Sequence, residues 1–234
     1  MRYWELDFAR GIAIAMMVVF HFLFDLNYLG FAKISLYEGL FGIWQKLIAS
    51  LFLFIVGVVI AVKYSQDGGN FWKNSLKRAE IIFGAALIVT IGTFAFFPQE
   101  FIYFGILHLI AVSILISIPL ARYKYLNLIL GLVLIAIPLF VNTFEFEIPF
   151  LVWVGLATPI PTFDFFPLIP WFGVVLLGIA TGNFFYGNEN PKIVFVEPKN
   201  RFSEFFVFLG KNSFAIYLVH QPVLFGALYI ISSI

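Results

Sequence analysis

The stretch Asp7-Phe-Ala-Arg10-Gly-Ile-Ala-Ile-Ala-Met-Met17-Val-Val-Phe-His21-Phe-Leu-Phe-Asp25-Leu-Asn-Tyr-Leu-Gly30 decides the fold. Most of it is apolar enough for a membrane-spanning helix, yet it carries Asp7, Arg10, His21 and Asp25. At about 100° per residue, Arg10 and His21 fall within about 20° of each other, Asp25 follows one turn later and Asp7 precedes by one turn. The four therefore share one stripe. A charge in hydrocarbon costs roughly 2.5–3.5 kcal/mol on insertion scales, so the stripe is expected to face protein or a wet cavity. The rise from Arg10 to His21 is about 16 Å, which sets Arg10 near one surface and His21 past the middle of a bilayer about 30 Å thick.

Composition agrees with a chain built for lipid. Of 234 residues, 62% are hydrophobic and only 12% charged, with a mean hydropathy of +1.00; soluble domains carry about twice that share of charge. The net charge of +1 argues against a nucleic-acid partner, and the absence of cysteine excludes disulfides, thiolate metal sites and cysteine nucleophiles. The N-terminus lacks a short apolar segment with a small-residue cleavage site, so the first helix is expected to stay in the mature protein.

Apolar runs of spanning length occupy about 8–30, 41–63, 80–97, 101–121, 125–141, 168–186 and 207–231. The expected fold is all-α: one polytopic membrane helix bundle over residues 1–234, of about seven transmembrane helices. Twelve of the fourteen Lys and Arg, among them Arg2, Arg10, Lys63, Lys73, Lys77, Arg78, Arg122, Lys124, Lys192, Lys199, Arg201 and Lys211, fall on one side. By the positive-inside rule that side is cytoplasmic, giving a cytoplasmic N-terminus and an external C-terminus. Lys33 and Lys46 lie on the other side with Glu38, Glu100, Glu145, Glu147 and Asp164. Lys46 is expected to snorkel to the surface or to pair with Asp25.

Two readings of the first stripe stay open on residues alone. In one, Asp7 and Arg10 pair at the surface while His21 bonds Asp25 as helix glue. In the other, His21 is a general base, oriented and made more basic by Asp25. A second polar stripe, Ser213, Tyr217, His220 and Gln221, runs along the last helix, which opens with Gly210-Lys211-Asn212-Ser213. A helix start capped by Asn212 or Ser213 and flanked by Lys211 suits an anion. The loop Asp67-Gly-Gly-Asn70 followed by Lys73, Lys77 and Arg78 offers the same chemistry, or an ordinary basic loop against anionic lipid. His108 is a second intramembrane histidine. Segment 142–170 is long and too apolar for a solvated loop, and is expected to form a membrane-embedded lid or half-helix. Asp164 and Trp171 near its end suit a sugar, or in the case of Trp171 an interfacial aromatic belt.

The run Arg10-Gly11-Ile12-Ala13, with a histidine eleven residues after the arginine, resembles the first-helix signature of a membrane-bound acyltransferase superfamily. That superfamily holds the bacterial acyltransferase family three and the heparan-alpha-glucosaminide N-acetyltransferase-like proteins. The wording from Asp7 to Ala13 followed by Met17 is closer to the second group. Gly105-Ile106-Leu107-His108-Leu109-Ile110-Ala111 and Gly210-Lys211-Asn212-Ser213…Tyr217…His220 resemble further stretches of the same families. One departure stands out: the heparan sulfate acetyltransferases have Asn where this chain has His21 and carry a histidine further on, so at this position the chain follows acyltransferase family three.

The resemblance implies an acyltransferase that moves an acetyl group from cytoplasmic acetyl-CoA to a sugar or amino-sugar acceptor on the outer side, by N- or O-transfer and without a metal. His21 would act as base or transient acyl carrier, with Asp25 orienting it. Arg10, Lys211, Asn212, Ser213 and Tyr217 would bind the donor, and His108, Asp164, Trp171 and His220 the acceptor. The expected setting is the plasma membrane of a prokaryote, with lipid around the bundle; small residues on the second and sixth helices allow a homodimer without requiring one. The alternative, on the same intramembrane polar groups, is a transporter or flippase of a lipid-linked sugar or small polar solute.

Overall fold

The computed structural model describes residues 3–141, 151–187 and 200–232. Eight α-helices form among them: α1 (Trp4–Tyr28), α2 (Gly39–Asp67), α3 (Phe71–Phe96), α4 (Ile106–Ser117), α5 (Lys124–Val141), α6 (Leu168–Phe185), α7 (Arg201–Lys211) and α8 (Ser213–Ser232). A short 3-10 turn, Gly68–Asn70, joins α2 to α3. Four helical stretches are long and apolar enough to cross a membrane: α1, the run from Gly39 to Phe96, α6 and α8. α4 and α5 are apolar but shorter.

The expected helical runs shift in three places. The last run divides, because the Asn212 backbone N–H closes α7 on the Phe208 and Leu209 carbonyls while its own carbonyl accepts from Ile216 to open α8. The third helix starts at Phe71, since the Lys, Leu, Arg and Ala residues read as loop are good helix formers. The fourth starts only at Ile106, because the residues before it pair with 162–166 through Phe163 N–H to the Glu100 carbonyl (3.0 Å) and Phe166 N–H to the Phe104 carbonyl (3.2 Å). The described part of the expected lid, 151–167, is accordingly turn and extended chain rather than a half-helix. Residues 142–150, with Glu145 and Glu147, and the basic residues Arg2, Lys192 and Lys199 lie outside the described residues.

The chain forms two compact units. The first holds Met1–Phe52 and Phe195–Ile234. Its core is Ile14, Met17 and Phe20 of α1 with Leu36 and Ile48, ringed by Trp44, Phe52, Leu209, Ile216 and Tyr217. Small residues set its packing: a side chain at Gly11 would run into the Phe206 carbonyl, and one at Gly210 into the Asp7 carbonyl. α1 and α7 therefore meet backbone to backbone, a contact open only to glycine. Pairs of neighbours rise together along α1 and α8, from His21–His220 to Tyr28–Phe225, so these two helices run parallel. α1 ends in a Schellman turn: Gly30 takes φ +81°, and Phe31 N–H reaches back to the Leu26 carbonyl at 2.8 Å.

The second unit, Leu53–Val194, holds the rest of α2 with α3 to α6. α2 and α6 approach through Gly57 and Gly178, each of which abuts the backbone of the other helix. α5 and α6 do the same at Gly131 and Gly173. Val175, Leu176 and Ile179 of α6 are fully enclosed at this centre.

Candidate functional site

Within the first unit, the α1 stripe divides into two ends. At the start of the helix Arg10 donates to the Asp7 carboxylate at 3.3 Å, and Asp7 is buried. The Gly11–Gly210 contact brings the α7–α8 junction to the same end, so Arg10, Lys211, Asn212 and Ser213 cluster there. Lys211 and Asn212 are exposed and Ser213 is buried. The Asn212 side chain donates to the Phe208 carbonyl at 2.8 Å, so it closes α7 instead of capping α8. Tyr217 points into the core against α1.

About three turns further along α1, α1 and α8 place four polar side chains together. His21 sits edge to face with His220, ring centroids 4.8 Å apart. The Nδ1–H of His21 donates to the Met17 carbonyl at 3.0 Å, and the Nδ1–H of His220 donates to the Tyr217 carbonyl at 2.7 Å. A carbonyl only accepts, so both imidazoles carry their proton on Nδ1 and present a lone pair at Nε2. Asp25 is fully buried, and its Oδ1 accepts from Gln221 Nε2 at 2.6 Å. The carboxylate thus binds Gln221 rather than His21 or Lys46, and it is the Met17 carbonyl that orients the His21 ring. Lys46 is exposed. Pro222 follows Gln221 and removes the backbone donor that the Leu218 carbonyl would otherwise receive.

Three buried atoms of this cluster lack a hydrogen-bond partner: Asp25 Oδ2, His220 Nε2 and Gln221 Oε1. One N–H of the Gln221 amide is on Asp25 and its Oε1 remains as an acceptor; Asp25 Oδ2 and the two imidazole Nε2 atoms are acceptors as well. Buried polar atoms are normally satisfied, so a group of orphans at one place marks a candidate site for a polar group. Here that group must bring the donors.

The second unit holds the remaining expected residues. His108 is buried; its Nδ1 accepts from Gly105 N–H at 3.2 Å and its Nε2 lies 3.4 Å from Thr90 Oγ1, which itself donates to the Ile102 carbonyl at 2.6 Å. Both ring nitrogens are therefore engaged within the protein. Asp164 Oδ2 accepts from Ile106 N–H at 2.9 Å, capping the start of α4 from a distant segment. A side chain at Gly105 would strike this carboxylate. Although the residue as a whole keeps partial exposure, its carboxyl is enclosed, and loss of hydration pushes it up to about 6. Trp171 packs edge-on to Phe166, centroids 4.9 Å apart. Lys73 and Lys77 are exposed on α3.

Sequence spacing had marked both stripes, including Gln221 as a member of the second. It carried no sign that Gln221 and Asp25 are partners, since a pairing over 196 positions has no local pattern. Thr90, which lies against His108 Nε2, carries no signal in the sequence.

The family model described as heparan-alpha-glucosaminide N-acetyltransferase, catalytic, matches residues 2–222. No match was found among curated proteins or among solved structures. The matched span takes in α1, with its Arg10 and His21, and α8 as far as Pro222, and so the chain belongs to the heparan-alpha-glucosaminide N-acetyltransferase catalytic family.

Proposed function

We propose that this protein is a transmembrane acetyltransferase that moves an acetyl group from cytoplasmic acetyl-CoA to the amine of a sugar on the outer side of a cell membrane. Family membership supports acetyl transfer in general. The observation that carries the finer reading is the set of orphaned acceptors around His21. Three orphaned acceptors beside the His21 Nε2 lone pair suit an amine or ammonium flanked by hydroxyls, and suit a carboxylate or phosphate poorly. This favours N-transfer over O-transfer.

The start of α1 supplies the chemistry for the donor's phosphates: Arg10, the exposed Lys211 and the first turn of α8 at Asn212 and Ser213. Tyr217 lies between this end and His21 along α8. His21 Nε2 takes a proton from the acceptor nitrogen as that nitrogen attacks the thioester carbonyl; the C–N bond forms as the C–S bond breaks, and the imidazolium returns the proton to the leaving sulfur. Carriage of the acetyl group on His21 Nε2 is the two-step form of the same transfer. Asp25, fully buried one turn along α1 from His21, favours the positive charge that His21 acquires. His220 and Gln221 face the acceptor. His108, Asp164 and Trp171 lie in the second unit, and no step of this transfer is assigned to them.

The test is thermal stability in detergent with acetyl-CoA, CoA and a plain nucleotide. A ligand at a hundred times its dissociation constant adds about 2.7 kcal/mol. A shift with acetyl-CoA and CoA that the nucleotide does not reproduce is the expected result. No shift with millimolar CoA would overturn the reading and favour transport of a sugar-bearing solute.

A further inference from the structure

The amide of Gln221 holds Asp25 through one atom and leaves another pointing at nothing. Its Nε2 donates to Asp25 Oδ1 at 2.6 Å, while Gln221 Oε1 and Asp25 Oδ2 are both buried and unpartnered. These orphans belong to one amide and one carboxylate already joined by a hydrogen bond, so both acceptors are carried by a single bonded pair. Asp25 has no surface exposure at all. A carboxylate so enclosed, satisfied on one oxygen only, is a costly arrangement unless a donor arrives at the second.

We propose that Gln221 is a specificity-determining residue: with Asp25 it forms a two-acceptor subsite for the hydroxyl groups that flank the amine of the acceptor. The inference rests on the proposed transfer at His21 and deepens it. Transfer itself needs only the reacting nitrogen and a base, and His21 Nε2 and His220 Nε2 are acceptors enough for that nitrogen. Asp25 sits one turn beyond His21 on α1 and Gln221 follows His220 directly on α8, so the pair lies beside the histidines, where the neighbouring groups of a ring-bound amine would fall. Gln suits the position better than Glu. Its Nε2–H group neutralises one carboxylate oxygen without adding a second negative charge, and its Oε1 remains free to accept.

The experiment compares binding of two amines to the purified full chain in detergent, without donor. Glucosamine carries hydroxyls beside its amine; cyclohexylamine carries none. Dissociation constants are read from concentration-dependent thermal shifts for wild type, for Gln221→Met and for Asp25→Leu/Gln221→Leu. The double variant removes both polar partners together, which keeps the test alive where the single variant strands Asp25 and fails to fold. The expected result is that wild type prefers glucosamine, and that the preference falls by about tenfold in the variants, the upper end of what one hydrogen bond contributes. A preference within twofold of wild type overturns the proposal, as does a wild type that binds both amines equally or neither. Because donor is absent, the preference reports on the Asp25–Gln221 subsite and not on transfer; a wild type that discriminates between the amines but never acetylates them would count against transfer at His21 and not against the subsite.

Discussion

His21 of α1 and His220 of α8 meet edge to face with ring centroids 4.8 Å apart, each with its Nδ1–H on a backbone carbonyl of its own helix. The arrangement fixes the tautomer of both rings and aims no proton into the space between α1 and α8. A histidine so held is ready to take a proton, which is what a base must do. Replacement of His21 by Ala should lower acetyl transfer by about a hundredfold to ten-thousandfold, the usual worth of a positioned base. His220→Ala should instead act mainly on acceptor KM. Steady-state kinetics with the acceptor varied separates the two.

Arg10 is bonded to Asp7 and still keeps about a fifth of its side chain exposed. Arg10→Gln retains a donor for Asp7 and removes the positive charge. The expected outcome is a smaller thermal shift with acetyl-CoA, by about 1.5–3 kcal/mol for a lost charged hydrogen bond, with little change in the stability of the protein alone. Parallel melts with and without acetyl-CoA measure it.

Gly11 and Gly210 hold α7 against α1 with no room for a β-carbon on either side. Gly210→Leu should destabilise the first unit by about 1–3 kcal/mol or more, because the obstructing atoms are backbone and cannot step aside. Denaturant titration of the detergent-solubilised protein reads the loss. The same variant should weaken acetyl-CoA binding, since Lys211 to Ser213 follow directly on the displaced residue.

Asp164 gives a pH dependence whose sign can be worked out. Burial pushes its carboxyl up to about 6, against an ordinary value near 3.8. Between these values the folded chain holds a proton that the unfolded chain has released, so stability falls as pH rises through about 4 to 6 and is level above. Asp164→Asn keeps an oxygen for Ile106 N–H and loses the titration. Its melting temperature should vary less than that of wild type across this window, and should exceed it at pH 7.

The membrane character, the helical class and the polar stripe of α1 were all legible in the sequence, because each depends on local composition or on spacing along one helix. The α7–α8 break was not: Gly210, Lys211 and Asn212 read as the opening of one long helix, and only tertiary contact of Gly210 with Gly11 shows why the chain must turn there. The partner of Asp25 was misjudged for a related reason. A carboxylate four residues after a histidine looks like its companion, yet on the helix the His21 ring finds the Met17 carbonyl one turn back, and Asp25 faces α8. Asp164 read as a sugar ligand because a lone acid in an apolar segment invites that role, while its capping of α4 joins positions 58 apart.

The most direct measurement is transfer of labelled acetyl from acetyl-CoA to glucosamine by the purified protein in lipid vesicles, beside the His21→Ala variant. Labelled N-acetylglucosamine from wild type, with a loss of a hundredfold or more in a variant that still folds and still binds acetyl-CoA, is the expected result. Equal product from both proteins, or none from a wild type that binds both substrates, would contradict the assignment of His21 as the centre of an acetyltransferase.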